Sequence, residues 1–146
     1  MPAVRVIALA AGVWADAASA APAQGACRAP DRGAAFLLSV GRNAASSTDS
    51  NVVAERVGSR IPAAPADSVA LVADEGVCAA AARAYAADAG GRTPEGRPLS
   101  GRVYVVRVGA AGGAVYLVVD PAWRAGEWGS RLVMSERFEV LSRSLH

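Results

Sequence analysis

From Val103 to Ser142 the chain is a succession of short apolar stretches broken by turn residues, and this pattern restricts its folds more than any other feature. Val103 to Val108 sets Tyr104, Val106 and Val108 against Val103, Val105 and Arg107. Ala114 to Val119 sets Val115, Leu117 and Val119 against Tyr116 and Val118. A repeat of two places alternate side chains on opposite faces of a strand. Gly109 to Gly113 predicts a glycine-rich hairpin loop between the two. Asp120-Pro121 breaks the second strand, because proline has no N–H for the ladder. Arg131 to Met134 and Phe138 to Ser142 predict another hairpin about Ser135-Glu136. The result is an antiparallel meander, expected to have one apolar and one partly solvated face.

The apolar face needs a cover, and the clearest helix supplies it. Asp74 is a predicted N-cap, and Glu75 lies in the first turn, where the helix dipole favours negative charge. Val77 to Ala89 follows, with Val77, Ala81, Ala84 and Tyr85 on one face and Cys78 and Ala82 beside it. Gly90-Gly91 ends it. One main helix on a meander gives an α+β fold of two layers. Elsewhere the signals are shorter. Phe36 to Val40 reads as a strand ended by Gly41, with a helical alternative. Asn43 to Asn51 reads as a loop. Thr48 or Asp49 would cap a short helix through Val57, stopped by Gly58. Pro62 and Pro65 mark an extended connection, Val69 to Val72 a short strand, and Arg92 to Gly101 a loop.

The first residues read as an address. Arg5 precedes an uncharged, mostly apolar stretch from Val6 to Ala15, and Ala18-Ser19-Ala20 offers small residues at the positions a signal peptidase reads. That order is the layout of a secretory signal peptide, and the stretch falls short of the ~20 apolar residues of a membrane span. The alternative is an alanine-rich helix of the mature fold. The expected organisation is a signal peptide at 1–20, a flexible tail at 21–33 and one α+β domain at 34–146, secreted or periplasmic. No transmembrane segment is expected once the signal is removed. Lipid attachment at Cys27 ranks second, because Gln24 stands where a lipoprotein signal wants an aliphatic residue.

Cys27 and Cys78 are the only cysteines, 51 positions apart in the sequence. In an oxidising compartment an even pair predicts a disulfide. A metal site is disfavoured, since the sole histidine, His146, is at the C-terminus. A redox site would normally use a close pair.

Several function classes are disfavoured by composition. The net charge is +2, and the basic residues, all arginine, are spread along the chain. Nucleic-acid binding needs a concentrated basic face that releases counterions at many phosphates. A histidine triad needs an imidazole held by a third group, which a terminal residue supplies poorly. No metal or cofactor is expected. The glycines at Gly109, Gly112 and Gly113 are followed by neither lysine nor helix, so they predict a turn and no phosphate cradle.

The chain resembles a group of small, uncharacterised exported proteins of GC-rich bacteria. The resemblance lies in Ile61-Pro62, Asp74 with Val77-Cys78 and Tyr85, Val103 to Gly109, Tyr116 through Asp120-Pro121, Gly126-Glu127 and Phe138-Glu139-Val140-Leu141. It implies export and no particular activity. The helix-then-meander layout is also similar to PepSY and cystatin-type domains, at the level of architecture only.

The most distinctive segment is Asp120 to Gly129. It carries Trp123 and Trp128, with Arg124 and Glu127 between them. Tryptophan and arginine are enriched at binding hot spots, and Arg124 is placed to stack on an indole. The competing reading makes both rings part of the core. The expected function is a non-catalytic exported module that binds a protein or a cell-envelope component through Trp123, Arg124, Glu127 and Trp128. The rival is a small exported hydrolase using the loop carboxylates Asp120, Glu127 and Glu136, which requires them to converge.

Overall fold

The period-two alternation becomes a five-stranded antiparallel sheet. The computed structural model describes residues 25–93, 95–109, 112–122 and 130–145. The strands are β1 (Val69–Leu71), β2 (Tyr104–Val108), β3 (Val115–Val119), β4 (Ser130–Ser135) and β5 (Val140–Leu145), paired in the order β1-β2-β3-β4-β5. Val106 faces Leu117 across β2 and β3, and Val118 faces Leu132 across β3 and β4. A bulge between Val133 and Met134 shifts the register of the last hairpin. The helices are α1 (Arg32–Ser46), α2 (Ser50–Ser59) and α3 (Glu75–Ala89). The α+β class, the meander and the single disulfide are as expected.

The layer count is not as expected, because both faces of the sheet are covered. Tyr104, Val106, Val108, Leu117, Val119 and Val133 pack with Ala34, Leu37, Ala44 and Ala45 of α1. Val103, Val105, Val118, Leu132 and Met134 pack on the opposite face with Cys78, Ala81 and Tyr85 of α3. All five residues of β3 are buried. The face expected to be partly solvated therefore forms a second core.

Phe36 to Val40 lies within α1 and forms no strand. Its Asp31 N-cap accepts hydrogen bonds from the N–H groups of Gly33 (2.9 Å) and Ala34 (3.1 Å). The buried residues Ala34, Leu37, Gly41, Ala44 and Ala45 recur at helical spacing. Gly41 ends nothing. A Cβ there would stand 3.2–3.3 Å from side-chain carbons of Val69, Leu117 and Val106, so glycine lets the helix lie close on the sheet. Asp49 caps α2 through the N–H groups of Asn51 and Val52. Arg60 ends α2 in the left-handed region at φ 67°. Asp74 caps α3, and Gly90 ends it at φ 73°.

Residues 25–33 were expected to belong to a flexible tail, and they are tied down instead. Cys27 pairs with Val103 in a parallel bridge. The Val103 N–H donates to Ala26 O (2.8 Å), and the Arg28 N–H to Val103 O (3.0 Å). Glu75 accepts from the Ala26 N–H at 2.7 Å. The Cys27–Cys78 disulfide fastens the same segment to α3, with Cα atoms 5.1 Å apart. The expected tail fails because its residues complete the sheet edge and the α3 cap region. Residues 1–24, including the expected signal segment, lie outside the described residues. Among the described residues no helix is long and apolar enough to cross a membrane.

Candidate functional site

The tryptophan segment begins at a well-built anchor. Asp120 follows β3 and is 2% exposed. Its carboxylate accepts from the Ser100 hydroxyl (2.7 Å), the Gly101 N–H (3.1 Å) and the Ala122 N–H (3.0 Å). The main chain of Asp120 also hydrogen-bonds Tyr85, whose phenol is pushed well up by burial, with this bond opposing the shift. Arg97 donates to Ala122 O at 3.3 Å. Asp120 thus braces the end of β3 against Ser100, Gly101 and Ala122. Trp123, Arg124, Glu127 and Trp128 themselves lie outside the described residues.

The carboxylates do not converge where they are described. Asp120 stands at one end of β3. Glu136 follows Ser135, which pairs with Val115 at the other end. Five residues of strand put them roughly 17 Å apart. A glycosidase pair needs its carboxyls within about 9.5 Å. Glu136 is also engaged by Arg107, whose guanidinium stands 3.1 Å away. Glu127 lies outside the described residues.

A cavity of about 200 Å³ lies between α1, α2 and the sheet. Val40 and Ala44 of α1, Val52 of α2, Ile61, Leu117 and Val133 give it apolar walls. Asn43, Glu55, Ser59 and Arg131 supply polar groups. The neighbours of Arg131 set its direction. Leu132 and Met134 belong to the α3-side core and Val133 to the α1-side core, so Arg131 shares the Val133 face by strand alternation. Its side chain is only 12% exposed. Burial lowers its pKa from the ordinary arginine value, and the Glu55 carboxylate opposes that shift. Arg131 Nη2 stands 3.4 Å from Glu55 Oε2, and the Glu55 side chain is 52% exposed. Ser59 is committed elsewhere: its hydroxyl donates to Glu55 O, and its carbonyl accepts from the Ser142 hydroxyl.

Glu55 and Arg131 were missed as site residues in the sequence. The available signal was a charge on β4 in phase with Val133, on a strand that otherwise reads as core. Using it requires knowing that helices cover that face. Among the described residues no group of three or more His, Cys, Asp or Glu side chains is placed to hold a metal ion. No family model, curated protein or solved structure matches the chain.

Proposed function

We propose that the chain is an exported, non-catalytic binding module whose site is the cavity between α1, α2 and the sheet. The carrying observation is a cavity of about 200 Å³ with mostly apolar walls, whose few polar lining groups include the Arg131 side chain, 12% exposed. Small-molecule sites have this composition: mostly apolar lining with a few placed polar groups that fix orientation. The separation of Asp120 from Glu136 supports a binding role over carboxylate hydrolysis. Export is supported by the Cys27–Cys78 disulfide, since such bonds persist mainly in oxidising compartments.

Binding is tested by titrating a panel of ring-sized and branched small molecules against the isotope-labelled full chain. Saturable resonance shifts are expected at Val40, Val52, Leu117 and Val133. They should vanish in Ala44→Phe, which fills the cavity. A panel that moves none of these resonances removes the site. Export is tested by intact-mass measurement on protein from its native host. A mature start near Ala21 is expected; a full-length mass refutes it, and diacylglycerol on Cys27 replaces free secretion with lipid anchoring.

A further inference from the structure

We infer that the cavity takes a small neutral alcohol, with its hydrocarbon body against Val52, Leu117 and Val133 and its hydroxyl at the mouth beside Asn43. The inference rests on the binding reading above and names the ligand class. Size sets the first limit. An apolar cavity of ~150 Å³ holds one benzene ring. The cavity here, about 200 Å³, admits a ring of that size with one small substituent.

Charge sets the second limit. Arg131 and Glu55 both line the cavity, and their opposite charges stand 3.4 Å apart. Arg131 already has its partners within the protein. A ligand carboxylate entering here would meet Glu55, and a ligand ammonium would meet Arg131; like charges at such range repel. Either ion would also give up hydration against apolar walls. A neutral molecule leaves the Glu55–Arg131 pair as it stands.

The mouth sets the third limit. Asn43 on α1 is exposed and Glu55 on α2 is half-exposed, so both meet water where they line the cavity. Among the described residues the Asn43 carboxamide has no hydrogen-bond partner. An occupant that displaces water there without replacing its hydrogen bonds loses affinity. The Asn43 carboxamide donates and accepts, and the Glu55 carboxylate accepts. A hydroxyl, which also donates and accepts, matches both groups; a bare hydrocarbon matches neither.

The experiment uses cyclohexanol, cyclohexanecarboxylate and cyclohexylamine as probes with one ring in common, titrated by NMR into the full chain at neutral pH. Cyclohexanol should bind at least about tenfold more tightly than either ion, read from shifts at Val52, Leu117 and Val133. Asn43→Ala removes the carboxamide at an exposed helix position, where alanine suits the helix. It should weaken cyclohexanol about fivefold, the worth of one net hydrogen bond. Cyclohexane, which carries no polar group, should bind that variant no more weakly than the parent. Carboxylate or amine binding as tightly as the alcohol overturns the neutral assignment while leaving the cavity a binding site. Undiminished cyclohexanol binding in Asn43→Ala, or an equal loss for cyclohexane, overturns the place given to the hydroxyl. If none of these probes moves the cavity resonances, the alcohol assignment falls. The wider panel still decides the binding reading separately.

Discussion

The Tyr104 hydroxyl lies 2.8 Å from each oxygen of Asp31, so one carboxylate joins the start of α1 to the second strand of the sheet. The same carboxylate caps α1, and the Arg28 guanidinium lies 5.8 Å from the centre of the Tyr104 ring. The hydrogen bond from Tyr104 is the largest cause holding the Asp31 carboxyl below its ordinary value of 3.8, followed by that from the Ala34 N–H. A carboxyl depressed in the folded state stabilises the fold above its unfolded pKa. That contribution is lost as pH falls through the lower folded value. Thermal melts from neutral pH into the acid range should therefore show a shallower acid loss in Asp31→Asn than in the parent. Asp31→Ala should lower stability at neutral pH by about 1–2 kcal/mol, the usual cost of a lost cap. Identical acid limbs for parent and Asp31→Asn would refute the linkage.

Removing the disulfide should loosen the start of the described chain. The double variant Cys27→Ala, Cys78→Ala should lose about 2–4 kcal/mol, seen as a fall of several degrees in Tm. Thiol titration of the denatured, unreduced parent should find no free thiol, because Cys27 and Cys78 are bonded to each other. Two titratable thiols would contradict the bond.

Gly41→Val should destabilise by about 1–3 kcal/mol, since the added branches meet Val69, Val106 and Leu117. The same substitution at Gly58, where a Cβ meets no atom within 4 Å, serves as the control for helix propensity alone. Equal losses at both positions in denaturant titrations would show that α1 has room to withdraw from the sheet.

Asp120→Ala removes the acceptor shared by Ser100, Gly101 and Ala122. Leaving those donors without it should cost about 2–3 kcal/mol in chemical denaturation. Asp120→Asn keeps the shape and should cost less. A variant as stable as the parent would mean that water replaces the carboxylate and that the brace is dispensable.

The parts of the fold legible in the sequence carry strong local punctuation. α3 shows Asp74 and Glu75 at its start and the Gly90-Gly91 pair at its end, and the structure uses Asp74 and Gly90 as caps. The β2–β3 hairpin shows two short apolar stretches rich in valine on either side of a glycine-rich sequence. α1 was misread because its buried stripe consists largely of Ala34, Gly41, Ala44 and Ala45. Those residues contribute close approach and little hydrophobic contrast. The one vivid run, Phe36 to Val40, is as short as a strand. The second core was hidden because β-strands buried on both faces lose the contrast that alternation needs. The Glu55–Arg131 pair brings together α2 and β4, 76 positions apart in sequence, and no local pattern connects them.

Between β1 and β2 the chain makes a long detour. These strands are antiparallel neighbours, with Leu71 opposite Val106, and the Val72 N–H donates to Val105 O. A two-residue turn is enough to join such a pair. The stretch 73–102, with all of α3, is therefore an excursion out of an already closed hairpin. Its two ends leave and return to the sheet at the same place. The α3 side is consequently added without interrupting the pairing of β1 with β2, while α1 covers the other face of the sheet. One face of the sheet is thus covered by a helix that precedes β1 and the other by a helix inserted between two hydrogen-bonded neighbours, and Cys27–Cys78 fastens the inserted helix to the segment beside Val103.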